Sequence, residues 1–312
     1  MPEYGFDTTA PQIVNDFPQN VKGKTFVITG ASANSIGGNT ALNLAAGNPA
    51  SLVLLARDES KVSPVIKEIA SLSPSTKAIF IPIDLSSQAS IHEAASAITS
   101  SVSKIDVLIN NAGVMAGPHK TTKEGIESQF GINHIGHFLL TNLLVPSIAS
   151  GGRIVNVSSA GHAMGGVRFD DYNFQDGKTY DEWAAYGQSK TANVLFTVSL
   201  AEKLKSKKIT AFSLHPGNAM TNLVGHLDPN TDWGMVMKKI SDTGRPIPQF
   251  KSMDGACATT VAAALDPSLE ASSGAYLDDC NPTPATPAAS SAENAAKLWS
   301  LSEKLVGQKF EY

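Results

Sequence analysis

The sequence has little of what a disulfide framework, a metal site or a nucleic-acid-binding surface requires. Its 312 residues include only two cysteines, Cys257 and Cys280, which share no close spacing and have no Cys/His cluster beside them. This pattern argues against disulfide bonds and against a bound metal, and it favours a reducing compartment. Lys and Arg number 24 against 28 Asp and Glu, so the basic excess that binds a phosphate backbone is missing. We therefore expect no nucleic-acid partner.

Long apolar runs are also missing. No stretch of about 18 apolar residues occurs, and the first residues mix acids, prolines and amides without an apolar core of their own. The sequence thus predicts a cytoplasmic protein with no membrane partner, in which residues 1–20 form an N-terminal extension. With 42% apolar and 17% charged residues, the chain has enough apolar surface to build a substantial core.

Short runs rich in β-branched residues alternate with longer stretches of helical periodicity, a pattern typical of βαβ units that feed a parallel sheet. The expected strands are 25–29, 51–56, 78–83, 107–110, 153–158, 210–215 and, as a last one, 274–277. The expected helices are 39–46, 64–72, 90–101, 133–148, 186–204 and 292–305. Because the strands are apolar throughout, both faces of the sheet should be covered.

The regular alternation ends after residue 215. Residues 218–253 contain Gly, Pro, Asp and Lys with little periodicity, so we interpret them either as an excursion that covers a pocket on the substrate side or as a plain surface loop. Residues 282–290 form a Pro/Ala/Ser-rich connector. No repeat and no domain boundary is evident, so we expect residues 1–312 to form a single domain.

A glycine-bearing turn follows the first expected strand. Residues 29–38, TGASANSIGG, connect that strand to a helical stretch, where free N–H groups and the helix dipole can bind a pyrophosphate. An ordinary tight turn is the alternative. The second strand ends at Arg57, and a guanidinium at this point suits the 2′-phosphate of NADP better than the ribose hydroxyls of NAD. Asp84 ends the third strand and either contacts adenine or caps the next helix.

Tyr186 and Lys190 are four residues apart in a helical stretch, so their side chains project from one face. A fixed ammonium beside a phenol favours the phenolate and lowers the pKa of the tyrosine. The pair is therefore a candidate general acid and base. The spacing alone is weak evidence, since such a match also arises by chance. Whether the pair is meaningful depends on which other motifs accompany it and in what order they occur along the chain.

Taken in chain order, the motifs resemble the short-chain dehydrogenase/reductase family over roughly residues 21–307. Within that family, residues 133–140, NHIGHFLL, and the tail 299–307 look like the retinol-dehydrogenase-like and WW-domain-oxidoreductase-like branch. The resemblance implies an α/β, single-domain, doubly wound Rossmann fold with a mostly parallel seven-stranded sheet. It also implies an NADP(H) site formed by Gly30, Ser32, Ser35, Ile36, Gly37, Arg57, Asp84, Leu85, Asn111, Ala112, Gly113, Tyr186, Lys190, Pro216, Gly217 and Thr221.

Four catalytic residues are implied by the same resemblance. Tyr186 would give its proton to a carbonyl oxygen in reduction and act as the base in oxidation. Lys190 would lower the pKa of Tyr186 and hold the nicotinamide ribose. Ser159, rather than Ser158, would hydrogen-bond the substrate oxygen and stabilise its developing charge. Asn133 would anchor a water in a proton path to solvent, unless it is a buried structural amide.

The sequence departs from the family pattern at two places. The usual second glycine of the turn becomes Ser35 once one extra residue is admitted, and its Cβ should force the loop onto a different path. The interval between Ser159 and Tyr186 is also long, so an inserted loop could shape the pocket or obstruct the helix face used for dimerisation. The sequence therefore leaves open whether the protein forms a homodimer.

Other chemically active side chains have structural interpretations. His134, His137 and His215 are more easily explained as structural than as acids or bases, because Tyr186 is available. Five apolar side chains either line a substrate pocket or belong to the core: Val114, Met115, Phe169, Phe174 and Trp183.

The function implied is hydride transfer between NADP(H) and a carbonyl or secondary alcohol of a small, fairly apolar molecule, with carbonyl reduction as the expected direction. Two alternatives stay open. The scaffold could hold NADP while carrying out lyase, isomerase or cyclase chemistry, or the chain could be a cofactor-sensing interaction protein.

Overall fold

The computed structural model describes residues 3–221, 223 and 249–312, so most of the expected excursion at 218–253 lies outside the described residues. Within the described part, one sheet has its strands in the order β3-β2-β1-β4-β5-β6-β7-β8. The strands are β1 Thr25–Thr29, β2 Ser51–Ala56, β3 Lys77–Pro82, β4 Ile105–Asn110, β5 Ile148–Val157, β6 Thr210–Leu214, β7 Tyr276–Asp278 and β8 Asn281–Pro282. The predicted α/β class and the doubly wound, mostly parallel sheet are confirmed.

The predicted count of seven strands is wrong by one, because β8 was not expected. It pairs with β7 antiparallel, whereas the other neighbouring strands are parallel. Asp279 and Cys280 connect the two strands with φ angles of 47° and 69°, as in a two-residue hairpin turn. A strand of two residues that contains a proline has no alternation for a sequence pattern to reveal.

Helices cover both faces of the sheet and bury two cores. The helices are α1 Ala10–Asp16, α2 Ile36–Ala45, α3 Ser63–Leu72, α4 Gln88–Ser101, α5 Ser128–Phe130, α6 Gly136–Leu144, α7 Glu182–Lys203, α8 Met253–Leu265, α9 Pro287–Ser290 and α10 Ala292–Val306. Helices α1, α2, α3 and α8 bury their apolar residues against one face, and α4, α6, α7 and α10 against the other. Buried strands with helices on both sides explain the near-continuous apolar runs of the sequence.

Polar caps set several helix starts. The Ser35 hydroxyl accepts from the N–H of Gly38, so α2 begins at Ile36 rather than at residue 39. Asp181 accepts from the N–H groups of Trp183 and Ala184, so α7 begins four residues before Tyr186. These side-chain acceptors satisfy N–H groups that have no partner inside the helix.

The helix expected at 133–148 is divided, and it begins and ends earlier than predicted, spanning residues 128–144. It consists of α5, a π-helical turn Gly131–Ile135, and α6, which ends at Leu144; a 3₁₀ turn Val145–Ser147 then leads to β5 at Ile148. Pro146 in that turn cannot donate a helical hydrogen bond, which explains the earlier end. The π turn contains Asn133, and such wide turns occur frequently at functional sites.

Candidate active site

A cleft of about 1320 Å³ lies at the carboxyl ends of the parallel strands. The strand order reverses between β1 and β4, which is where ligands bind in open α/β sheets. Of the residues expected in the site, all but Gly37 and Asn133 line this cleft. The site residues proposed from the sequence are therefore neighbours in space, although they come from segments between residues 30 and 221.

The glycine turn accommodates its extra residue through Asn34, which has a left-handed φ of 58°. Ser35 is extended, and its hydroxyl contacts the carbonyl oxygens of Gly30 at 2.9 Å and Ser32 at 2.7 Å. The serine thus closes the loop on itself and caps α2. Gly37 lies behind the turn, where a Cβ would come within 2.4 Å of Asn111 Nδ2 and 2.6 Å of Gly30 O, so no larger residue fits.

The end of β2 carries more positive than negative charge toward the cleft. Arg57 is exposed, and both Arg57 and Lys61 line the cleft. The neighbouring carboxylate, Asp58, accepts from Ser60 N at 2.9 Å and from Ser60 Oγ at 2.7 Å. These hydrogen bonds hold the pKa of Asp58 below its ordinary value. Asp58 lines the cleft as well, with one carboxylate oxygen held by Ser60, so this part of the wall carries two cations and one anion.

Asp84 and Leu85 form the neighbouring wall after β3. Burial acts to raise the pKa of Asp84, but hydrogen bonds from Ser86 N and Oγ outweigh it and keep the pKa below its ordinary value. The cap of α4 is Ser87, not Asp84. The helix-capping alternative for Asp84 is therefore wrong, and the adenine contact stays a prediction.

Thr29 holds the segment that follows β4 against β1. Its hydroxyl oxygen accepts from the N–H groups of Asn111 and Ala112, both at 2.9 Å, and lies 2.9 Å from His137 Nε2. His137 Nδ1 lies 3.0 Å from the carbonyl oxygen of Asn133. With both threonine lone pairs occupied by N–H groups, the hydroxyl donates to Nε2 and the ring proton is on Nδ1. His137 thus has a structural role at the cofactor side of the cleft.

The three central catalytic candidates meet at one point. A Cβ on Gly161 would lie 2.7 Å from the Tyr186 ring and 3.3 Å from Ser159 Oγ, so these two side chains lie side by side, and the Lys190 ammonium lies 5.6 Å from the centroid of the tyrosine ring. The ammonium donates to the carbonyl oxygen of Val157 at 3.1 Å. Ser158 has a different task, since its buried hydroxyl donates to the backbone carbonyl of Lys190 at 2.7 Å. The neighbouring serine, Ser159, is the one that faces the tyrosine.

Burial, rather than the pairing of charges, determines the pKa values in this cluster. Burial raises the pKa of Tyr186 to about 12, although the hydrogen bond with Ser159 acts in the opposite direction. Burial also lowers the pKa of Lys190 to about 8. The net shift of the Tyr186 pKa is therefore upward, contrary to the sequence-based expectation of a lowered value, because desolvation disfavours both charged forms.

Asn133 is fully buried one layer behind the cleft. Its side-chain oxygen accepts from Val114 N at 2.8 Å, and its amide nitrogen donates to Val114 O and to Ser189 Oγ, both at 2.9 Å. A Cβ on Gly113 would lie 3.2 Å from Asn133 Oδ1 and 3.5 Å from Lys190 Nζ. Each polar atom of the side chain therefore has a protein partner, as expected of a buried structural amide, and the role of Asn133 in a proton path stays a prediction.

Pro216, Gly217 and Thr221 line the cleft beyond β6. Gly217 has a φ of 96°, and a Cβ there would lie 2.7 Å from the side chain of Lys251, so only glycine fits without strain. Lys251 forms an ion pair with Asp279 at 2.5 Å. His215 lies nearby, and burial lowers its pKa to about 4, which keeps the ring neutral at pH 7.

Several residues of the cleft were not identified from the sequence. Gly161 follows Ser159 so closely that a Cβ would lie 2.7 Å from the Tyr186 ring. Gln129 accepts from Ala116 N and donates to Tyr180 Oη, both at 2.9 Å, and so connects two segments beside the cleft. Gly161 could have been suspected from the sequence, because it lies two residues after Ser159. Gln129 has no comparable signal in the sequence.

Of the five apolar pocket candidates, three line the cleft: Val114, Met115 and Trp183. Phe174 is fully buried and Phe169 packs against the core, so these two are not part of the pocket wall. His134 lies among aromatic rings and its Nε2 is 2.8 Å from Ser302 Oγ. Burial lowers the pKa of His134 to about 3, consistent with a structural role.

Within residues 3–221, 223 and 249–312, no cluster of His, Cys, Asp or Glu is arranged to hold a metal ion. The helices of this part of the chain include none with the length and apolar character needed to span a membrane.

Sequence comparisons identify relatives that match nearly the whole chain. A profile of the short chain dehydrogenase family matches residues 24–173. Retinol dehydrogenase 13 of Homo sapiens is 40% identical over 293 residues, covering 92% of this chain and 86% of that protein. A short-chain dehydrogenase/reductase of Penicillium roqueforti, prx1, is 37% identical over 94% of this chain and 87% of its own length.

Solved structures show the same architecture. The crystal structure of an uncharacterized protein from Mycobacterium paratuberculosis has a TM-score of 0.74 and 32% identity, covering 98% of this chain and 100% of that one. The NADPH-bound carbonyl reductase from chicken fatty liver has a TM-score of 0.62 at 23% identity, covering 85% and 99% of the two chains. At that identity the second match supports the fold alone.

Proposed function

This chain belongs to the short-chain dehydrogenase family, as its motifs predicted, and on that premise we propose that it transfers a hydride between NADP(H) and a carbonyl or secondary alcohol of a small, fairly apolar molecule. The family consists of oxidoreductases; the cofactor, the substrate class and the preferred direction, carbonyl reduction, are the proposal. The observation that carries it is that Ser159, Tyr186 and Lys190 line the same cleft as the glycine turn, with the Lys190 ammonium 5.6 Å from the centroid of the Tyr186 ring.

The residues of the cleft fit a nicotinamide dinucleotide. Among the described residues the buried Lys190 ammonium donates to one acceptor, Val157 O, which leaves N–H donors for ribose hydroxyls. The glycine turn and the start of α2 at Ile36 face the cleft where a pyrophosphate would lie. When bound, the reduced nicotinamide would supply the hydride. Pro216, Gly217 and Thr221 would border the nicotinamide.

Tyr186 is the proton donor in this proposal. Its raised pKa keeps the phenol protonated at neutral pH, which is the form that reduction of a carbonyl requires. Ser159 Oγ accepts from Gly161 N at 3.0 Å, so one lone pair is occupied and the hydroxyl proton is free to point toward the substrate oxygen. Two O–H donors then stabilise the charge that develops on that oxygen. In this proposal Asn133 would anchor the water of a proton path to solvent, as the family resemblance implies.

Three features support the finer choices. Arg57 and Lys61 face the cleft while Asp58 is held by Ser60, which favours a 2′-phosphate and hence NADP. Apolar side chains on the cleft wall, including Met115 and Trp183, favour an apolar substrate. Relatives named retinol dehydrogenase put retinal among the first carbonyls to test.

The test is NADPH oxidation, followed by its absorbance, with a panel of all-trans-retinal, decanal and an aromatic ketone. We expect turnover of at least one of them. Tyr186→Phe should lower kcat about 10²- to 10⁴-fold while NADPH still binds. Tyr172→Phe is the matched control, since Tyr172 is partly buried outside the cleft, and it should retain wild-type activity. Unchanged turnover in Tyr186→Phe would refute the proposed role.

Cofactor choice has its own experiment. Arg57→Ala should lower the ratio of kcat/KM for NADPH to that for NADH by about tenfold, because a guanidinium pairs with phosphate through charge-assisted hydrogen bonds. Arg168→Ala is the control, because Arg168 pairs with Asp171 away from the cleft. An equal loss with both cofactors would contradict the assignment of Arg57 to the 2′-phosphate. Tight NADPH binding without net cofactor oxidation would instead favour non-redox chemistry on the same scaffold.

A further inference from the structure

We propose that His162 is a positioning residue for Ser159: its ring holds the Ser159 carbonyl and thereby fixes the hydroxyl that meets the substrate oxygen. The inference rests on the proposed function, because it assigns His162 a task only if Ser159 contacts substrate. His162 was not identified from the sequence. It lies in the 3₁₀ turn Ala160–Met164, which follows Ser159 directly.

Hydrogen-bond partners fix the tautomer of the His162 ring. Nδ1 lies 2.7 Å from the carbonyl oxygen of Ser159, and Nε2 lies 3.3 Å from the backbone nitrogen of Thr286. A backbone N–H only donates and a carbonyl only accepts. Nε2 is therefore the acceptor and Nδ1 carries the proton, so the structure assigns the neutral Nδ1–H tautomer.

The ring is also fixed by its packing. His162 is 4% exposed, and its ring centroid lies 4.7 Å from that of Tyr276 on β7. The carbonyl oxygen of His162 accepts from Thr191 Oγ1 at 2.8 Å, which fastens the same residue to α7 one position after Lys190. His162 thus connects Ser159 with α7, with β7 and with the segment before α9.

The position of the Ser159 hydroxyl depends on this turn. The Ser159 carbonyl accepts twice from His162, from the backbone N–H at 3.1 Å and from Nδ1, while Ser159 Oγ accepts from Gly161 N. Gly161 offers no side chain to hold the turn, since any Cβ would collide with the Tyr186 ring. The imidazole thus holds the turn at the Ser159 carbonyl, while Thr191 holds it from α7 through the His162 carbonyl. Because both nitrogens bond to backbone groups, the role is orientation rather than proton transfer.

Two substitutions separate the hydrogen bond from the packing. His162→Phe keeps an aromatic ring beside Tyr276 but removes the donor to Ser159. His162→Asn loses the ring but retains a side-chain amide that can donate to the Ser159 carbonyl. The backbone hydrogen bond between residues 162 and 159 survives in both variants. The exposed His92 of α4 provides a matched control as His92→Phe.

The assay uses NADPH with decanal, or with the panel carbonyl that has the highest kcat/KM. We expect His162→Phe to lower kcat about 10- to 100-fold, as for a misplaced catalytic group, with the Kd for NADPH unchanged. His162→Asn should recover most of the lost kcat, and His92→Phe should match wild type. Equal losses in the Phe and Asn variants, or wild-type kcat in His162→Phe, would overturn the proposal.

A double-mutant test separates positioning from mere structural support. In a Ser159→Ala background the group on which His162 acts is gone, so adding His162→Phe should change kcat by less than about twofold. A further loss as large as in the wild-type background would overturn the proposal. If Tyr186→Phe retains turnover, the proposed function itself fails; if it is inactive while His162→Phe is fully active, only the present inference fails.

A measurement on the unaltered protein keeps the proposal falsifiable should His162→Phe not fold. With ¹⁵N-labelled histidine, assigned by comparison with His162→Asn, the NMR spectrum should show His162 as the neutral Nδ1–H tautomer in the NADPH-bound protein. An Nε2–H tautomer would contradict the assigned hydrogen bond to Ser159.

Discussion

Acid should destabilise this protein steeply, because three buried imidazoles are held neutral in the folded chain. Burial lowers the pKa to about 3 for His134 and to about 4 for His137 and His215, against about 6.5 in an unfolded chain. The neutral form is favoured by folding, so its contribution to stability is fully present above pH 6.5. That contribution is lost as the pH falls toward 4, where only the unfolded chain has bound the protons.

The size of the effect follows from the number of protons. Each group contributes about 1.4 kcal/mol per pH unit within its window, so three groups together contribute about 4 kcal/mol per unit. Between pH 6.5 and pH 5 the free energy of unfolding should fall by about 5 kcal/mol, which is comparable with the whole stability of many domains. We therefore expect substantial unfolding near pH 5.

Urea unfolding followed by circular dichroism at several pH values measures this slope. His134→Phe removes one titrating group from an aromatic cluster, so the slope below pH 6.5 should decrease by about one proton, or about 1.4 kcal/mol per pH unit. His92→Phe, at an exposed position, should leave the slope unchanged. A slope identical in His134→Phe and wild type would refute the reasoning, because it would mean that His134 takes up no proton on unfolding.

Protonation of His137 should also affect NADPH binding, because this residue lies at the cofactor side of the cleft. Protonated His137 would turn an Nε2–H toward Thr29 Oγ1, whose lone pairs already accept from Asn111 and Ala112. The resulting repulsion should loosen the segment after β4. Because the pKa of folded His137 is about 4, the Kd for NADPH should stay unaffected by His137 down to about pH 5 and should rise only as the pH approaches 4. In His137→Phe that rise near pH 4 should be smaller, and an equal rise in the variant and the wild type would contradict this link.

Three further predictions concern the turn at Ser159, the glycine loop and the α7 surface. Gly161→Ala should push the Tyr186 ring aside and lower kcat about 10²-fold, with NADPH affinity retained; steady-state kinetics and NADPH titration check this. Ser35→Gly removes the α2 cap and should weaken NADPH binding while lowering the free energy of unfolding by only roughly 0.3 kcal/mol, because glycine is itself a tolerated N-cap; tighter binding would mean that the serine hinders the phosphate. Because α10 covers α7, with Ser199 Oγ donating to Ala295 O at 3.1 Å, that face is closed, and light scattering should give a monomer of 32.7 kDa rather than a dimer built on α7.

The regular parts of the fold were predictable because their physics is local. The strands at 25–29 and 51–56 match the observed β1 and β2 residue for residue, since β-branched and leucine-rich runs between polar ends leave little choice. The β8 strand was not predictable, because a two-residue strand has no period. The divided helix around Asn133 was also missed, since its wide turn depends on contacts with Val114 and Ser189 from distant segments.

The sequence predicted which residues form the candidate site, but it did not predict their pKa values. The spacing and order of the motifs predicted that Ser159, Tyr186 and Lys190 share one site. They also led us to expect that the Lys190 cation would determine the pKa of Tyr186. In the folded chain Tyr186 and Lys190 are almost fully buried, and the desolvation of each charged form outweighs their mutual effect. How deeply a side chain is buried depends on the whole fold, so it cannot be inferred from the four-residue spacing of Tyr186 and Lys190. The consequence of this burial is that Tyr186 stays protonated at neutral pH, which is the form from which the proposed carbonyl reduction starts, whereas alcohol oxidation must first form the phenolate.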